Sequence, residues 1–120
     1  MVRYRADGSI DSTFAAGGRM LTDFGGRNFG SAVAIDSEAR IVVAGFDDFP
    51  PYYDFAVARY DTNGRSDPGF GSGRTVLTEF GANSWINAVA VHNDGSIVAV
   101  GYVRSPGGAD FALARLTSDR

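Results

Sequence analysis

Residues 54–59 read DFAVAR, and 56 positions later residues 110–115 read DFALAR. The same step, taken without a gap, carries Arg3 and Tyr4 onto Arg59 and Tyr60, and then onto Arg115 and Leu116. It carries Gly8 onto Gly64, Asp11 onto Asp67 and Phe14 onto Phe70. LTDFG (21–25) falls on LTEFG (77–81), and AVAI (32–35) on AVAV (88–91). Roughly a third of positions are identical in this register, the mark of a repeat whose single unit cannot bury its own apolar face. The chain is therefore one segment, 1–120, made of repeats 3–58 and 59–114, with a third start at 115–120. Residues that recur in phase are assigned first to the fold.

Each unit reads as four short strands. Strand a is SAVAID (31–36) and NAVAVH (87–92); strand b is RIVVAGF (40–46) and SIVAVGY (96–102). Between them lies a tight turn at Glu38-Ala39 or Asp94-Gly95, the second pair well suited to a hairpin with positive φ. A longer loop with Pro50-Pro51 or Pro106-Gly107 leads to strand c, DFAVARYD (54–61) and DFALARL (110–116). Asp7-Gly8 and Asn63-Gly64 then break the chain. A loop ending near Gly17 or Gly73 leads to strand d, RMLTDF (19–24) and TVLTEF (75–80). Strands a, b and c are apolar at nearly every position, which predicts burial on both faces. Short turns demand antiparallel hairpins, and antiparallel strands buried on both faces arise when small sheets stack radially. The fold class predicted is all-β: β-propeller blades, two four-stranded antiparallel repeats per chain. Phe55 and Phe111 are predicted core residues. The repeated carboxylates, Asp23 with Glu79 and Asp54 with Asp110, are predicted to partner turn amides or Arg59 and Arg115, and Asp54→Asn is expected to weaken the fold. Asp11 and Asp67 read as turn residues.

RYRADGSIDSTFAAGGRMLTDFGG (3–26), SAVAIDSEARIVVAGF (31–46), DFAVARYDTNGRSDPGFGSGRTVLTEFG (54–81), NAVAVHNDGSIVAVGY (87–102) and DFALARL (110–116) cover essentially the whole chain. They resemble the repeats of the bacterial delta-60 family, β-propeller repeats of unknown function. The resemblance implies the propeller fold and a secreted or cell-surface setting, and brings no catalytic residues. The chain departs from the pattern at Glu38-Ala39, where the Asp-Gly turn is lost, and in the tail TSDR (117–120).

The net charge of −3 lacks the basic excess of a nucleic-acid binder. Zero cysteines remove disulfides and thiolate metal sites. No apolar run reaches the 18 or so residues of a membrane span, and MVRYRADGS has no signal-peptide core. DTNGRSD (61–67) has some calcium-loop oxygens but no closing Glu, so it reads as an Asn-Gly turn. His92 is the only histidine, and Asp36 holds its place in the first unit, so it reads as the polar end of a strand. GGR (17–19) and FGG (24–26) lack the helix of a phosphate loop and read as turns.

The units differ most on one face, where the d-to-a crossover and the b-to-c loop emerge. There Asn28, Phe29, Asn83, Trp85, Arg104, Tyr52 and Tyr53 offer rings to stack on a sugar and polar groups to fix its hydroxyls. The competing reading is that Phe29 and Trp85 fill the gap between blades. We expect no catalytic residues, metal or cofactor, and a non-enzymatic binding or scaffold role. Alternatives are a lectin-like glycan-binding propeller with sites on that face, and a purely structural piece of a longer array. The chain itself is the expected partner. Two blades are too few for a ring, so copies dock head-to-tail, with strand d at 19–24 of one completing the blade that ends at Leu116 of the next. Three copies are favoured over four. The duplicated phases at 2–8 and 114–120 require one to be displaced at each junction.

Overall fold

The structure, a computed structural model, describes residues 1–22, 27–49, 51–71 and 75–117. Seven strands appear: β1 (Arg27–Ile35), β2 (Ile41–Phe49), β3 (Tyr52–Tyr60), β4 (Thr75–Thr78), β5 (Asn83–Val91), β6 (Ile97–Ser105) and β7 (Gly108–Leu116). They form two antiparallel sheets, β1-β2-β3-β4 and β5-β6-β7. These are the a-b-c-d blade and an a-b-c blade of the predicted fold.

The 56-residue step is kept in every ladder. Arg27 pairs with Asp48 as Asn83 pairs with Arg104, and Ile41 pairs with Tyr60 as Ile97 pairs with Leu116. Both a–b hairpins slip register at the same phase, between Gly30 and Ala32 and between Ile86 and Ala88. Ahead of β1 the chain forms a looser ribbon in the same scheme. Val2 bridges Arg19, the phase of Ala58 with Thr75, and Tyr4 bridges Ile10, the phase of Tyr60 with Ser66. Over the described residues 19–22, the predicted first strand d shows bridging at Arg19 only; Asp23, Phe24 and the rest of FGG lie outside the described residues. So do Pro50, Gly73 and the tail 118–120.

The a and b strands run further than predicted. β1 begins at Arg27, and β2 and β3 nearly meet, so the predicted proline loop shrinks to a tight hairpin. The cause is pairing: Asp47 and Asp48 continue the ladder opposite Asp54 and Tyr53.

Burial on both faces holds for β3 and fails for the outer strands. In β3, Phe55 and Val57 face β5–β7, where they pack with Val42, Ala44, Phe70, Ile86, Ile97 and Ala99. Ala58 and Tyr60, on the other face, pack with Phe14 and Ile41 beneath Met1 and Met20 of the ribbon. The equivalent positions of β7 have nothing over them. Phe55 is 1% exposed but Phe111 is 90%; Val57 is 3% exposed but Leu113 is 64%. At the opposite end, Val33 and Ile35 are 62% and 60% exposed, while Val89 and Val91 are packed against the core. Phe111 is therefore not a core residue of the single chain, because its blade has a neighbour on one side only.

An arginine locks β3, and the ribbon at residues 1–5, to the loop that follows each; Arg59 is buried and Arg3 half-buried. Arg59 Nε donates to Asp67 Oδ2 at 2.7 Å while its guanidinium lies 4.8 Å from the centre of the Phe70 ring. One period earlier Arg3 Nε donates to Asp11 Oδ2 at 3.0 Å and lies 4.4 Å from Phe14. Burial pushes the Asp67 carboxyl up, but the Gly69 amide, Arg59 and Arg40 outweigh it and hold the group below its ordinary range. Asp11 and Asp67 also cap turns, accepting the Thr13 and Gly69 amides. Asp61 Oδ1 accepts the Asn63 and Arg65 amides, which makes DTNGRSD a turn with Gly64 at φ 85°.

Ala39 sits at φ 62°, where the other unit has Gly95 at φ 88°. An alanine there bears steric strain that glycine does not. Ala39→Gly is expected to stabilise by about 0.5–1 kcal/mol after the entropy of the unfolded glycine is charged against it. A urea midpoint that falls would contradict this.

Candidate functional site

The bulges and long a–b hairpins bring the predicted surface residues into one row at the Arg27 and Asn83 ends of the sheets. Gly45 and Gly101 let the hairpins close against the bulges, and the residue after each glycine, Phe46 or Tyr102, lies opposite Phe29 or Trp85. Phe29 stacks on Phe46 at 4.8 Å, and Trp85 on Tyr102 at 5.0 Å. Tyr53 joins the two pairs: its ring stacks on Phe46 at 5.6 Å and meets Trp85 edge-on at 5.3 Å. Five rings therefore run without a break from one blade to the next.

Polar groups fix the row. Asn83 Oδ1 accepts the Tyr53 amide at 2.8 Å, and the buried Ser84 hydroxyl donates to the Tyr53 carbonyl at 3.0 Å. Two side chains of the second blade thus hold both backbone groups of one residue on the outward side of β3. Asn28 Nδ2 donates to Asp47 Oδ1 at 2.7 Å, and Arg27 pairs with Asp48.

Of the seven predicted residues, Asn28, Phe29, Tyr53, Asn83 and Trp85 come together, all within strands and not in loops. Tyr52 and Arg104 stand exposed at the same end of the sheets. The five rings contact one another from blade to blade, and Phe29 and Tyr52 are exposed. Phe46 and Tyr102 were not singled out from the sequence. Phe46 and Tyr102 carried a signal, an aromatic after glycine repeated in phase, but the eye assigns it to the strand core.

A carboxylate pair lies under the row. Asp54 is opposite Asp47 in the β2–β3 ladder, and its Oδ1 is buried with no hydrogen-bond partner. Arg59 is committed to Asp67, so the predicted Asp54–Arg59 partnership does not form, and Asp110 is exposed. Burial, then Glu79 and Asp47, push the Asp54 carboxyl above its ordinary value. A raised folded-state value means the ionised form costs stability, a cost present above that value and relieved as pH falls through it. Asp54→Asn is therefore expected to stabilise at pH 7 by on the order of 1 kcal/mol, about 4 °C in melting temperature, with the gain shrinking toward pH 4. A lower melting temperature at pH 7 would restore the opposite, structural role.

Asp94 is held at about 2 by the Ser96 hydroxyl and amide and by His92; it caps the b-strand turn. His92 is exposed beside it. Among the described residues no group of three carboxylates or imidazoles is arranged to hold a metal, and no helix is long and apolar enough to cross a membrane.

Stacked antiparallel sheets of four and three strands, built from one repeated unit, define a β-propeller repeat protein. The sequence matches the family described as a domain of unknown function (DUF5122) beta-propeller over residues 1–14, 40–70 and 92–119, and the chain belongs to that family. No curated protein is detectably similar in sequence.

Proposed function

We propose that the chain is a non-enzymatic propeller scaffold that assembles head-to-tail with copies of itself into a closed ring. The observation that carries this is the mismatch in burial between equivalent positions. Phe111 and Leu113 are bare where Phe55 and Val57 are covered, and Val33 and Ile35 are bare where Val89 and Val91 are packed. The bare parts of these two faces, outside the Ile41, Ala58 and Tyr60 patch that the ribbon covers, correspond to the two halves of an interface already made once within the chain, so each fits the other on a second copy. A recess of about 490 Å³ beside Val33, Ile35 and Val43 marks the uncovered half. The outer edge of β7 is unpaired among the described residues, and an open edge next to a bare apolar face invites a further strand. A heterologous contact of this kind closes when its rotation divides a full turn. Three copies give six blades, within the usual range of about four to eight. We further assign the repeat to the delta-60 type, on the motifs in residues 3–26, 54–81 and 110–116.

Light scattering of the 120-residue chain at micromolar concentration is expected to give three times the chain mass of 12.7 kDa. A stable monomer would overturn the reading. It would leave the covering blades to be supplied by further repeats of a longer chain.

A further inference from the structure

Beneath the ribbon at residues 1–22 is a cavity of about 200 Å³ bordered by Met1, Met20, Thr22, Phe29, Ala56 and Tyr60. A cavity of about 150 Å³ already accommodates benzene. Its place in the repeat is defined by register. In the first blade Phe55 lies opposite Thr78, and its ring packs at 4.8 Å on Phe80 within the inter-blade core. Thr22 is the equivalent of Thr78 one period earlier. The position across from Thr22, next to Met1, is therefore the phase of Phe55, and the cavity lies there.

We propose that this cavity is the socket for Phe111 of a second copy, and that β7 of that copy displaces residues 1–5 and pairs with residues 19–22. The proposal rests on the ring reading above and adds its contacts. Phe111 is the same phase as Phe55, and its ring is almost wholly exposed. Continuing in register, Leu113 takes the place of Met1, Ala114 that of Val2, and Arg115 that of Arg3. Arg115 is exposed, and among the described residues no carboxylate pairs with it. In the second copy it meets Asp11 and the Phe14 ring, the partners that Arg3 holds at 3.0 and 4.4 Å. One arginine replaces another, so the charge balance of that half-buried sandwich is kept, and the seating of Phe111 is the net gain.

Of the two competing segments, the head is the one to give way. β7 is paired with β6 over its full length, Ile97–Leu116 to Ser105–Gly108. Residues 1–5 are held by the isolated bridges of Val2 and Tyr4 and by the Arg3 contacts with Asp11 and Phe14, which Arg115 would take over.

The absence of cysteine makes the test direct. Two single variants, Ala114→Cys and Arg19→Cys, are mixed and oxidised. The Met1 terminal ammonium and the Met20 amide each donate to the other's carbonyl at 2.9 Å, so Val2–Arg19 is the closely spaced, non-hydrogen-bonded type of pair, and Ala114–Arg19 inherits that geometry. A disulfide-linked heterodimer is expected. As a second measurement, removing residues 1–5 is expected to tighten assembly roughly tenfold, and Phe111→Ala to abolish it while the far-UV spectrum is unchanged. If wild-type chains assemble but the mixed pair does not link, and the truncation weakens assembly, then the head stays in place and the exchange is wrong while the ring stands. If wild-type chains do not assemble at all, both fall.

Discussion

Phe55→Ala is expected to cost about 3–5 kcal/mol, the range for a fully buried aromatic cut to a methyl group. The same change at Phe111, in the same phase of the same motif, is expected to cost the isolated chain less than about 0.5 kcal/mol, as surface changes do. Phe55 is enclosed by Phe80, Val57 and the facing sheet; Phe111 projects from β7 into solvent. The contrast separates what the motif contributes from what its neighbour contributes. Denaturant titration of both variants at concentrations below assembly measures it. Equal losses would mean that β7 is covered within the single chain. At concentrations where copies associate, the Phe111 variant should instead lose mass by light scattering.

The second large effect is at the bulges. Gly45→Ala and Gly101→Ala are each expected to cost about 3 kcal/mol or more, at the upper end of overpacking because the clash is with backbone. A methyl at Gly45 would run into the Phe29 carbonyl, with its carbon 2.8 Å and the Gly30 Cα 2.9 Å away. At Gly101 the obstruction is the Trp85 carbonyl, with its carbon at 2.7 Å. Neither obstacle is a side chain that can rotate aside, so the hairpin must open and with it the ring row. Gly30→Ala is the control, since its added methyl would meet only Val43 at 3.8 Å. Thermal unfolding of the three variants should leave Gly30→Ala near the parent and the other two far below. A mild effect at Gly101 would mean that the bulge relaxes.

The repeat, the strand order and the hairpin turns were legible in the sequence because each has a local cause. Asn63-Gly64 and Asp94-Gly95 demand turns whatever surrounds them, and the short unbroken apolar run from Phe55 to Ala58, bounded by turn signals, reads as a buried strand. Strand length was not legible. Asp47 and Asp48 look like loop residues, and only the partners Asn28 and Arg27 across the ladder make them strand. The burial of Phe111 was misjudged for a related reason: period and composition are identical at Phe55, and the difference lies in which sheet stands alongside. Asp54 was misassigned because its arginine neighbour in sequence, Arg59, is claimed by a turn carboxylate eight residues further on. The candidate site was half legible. The aromatic residues on the variable face were found, but their mutual stacking depends on the bulges, which leave no composition signal apart from Gly45 and Gly101.

The arginine sandwich has a consequence for how such a chain changes length over evolutionary time. Arg59 reaches forward to Asp67 and Phe70, and Arg3 to Asp11 and Phe14, so each lock closes within one 56-residue unit, between a c segment and the loop after it. A duplication or deletion of 56 residues therefore makes no junction that the molecule has not already tested. Wherever an in-phase crossover falls, the arginine at the junction keeps its aspartate 8 and its phenylalanine 11 residues ahead. Copy number can drift under recombination while each seam stays sound, and selection is left to act on the curvature that the accumulated blades produce.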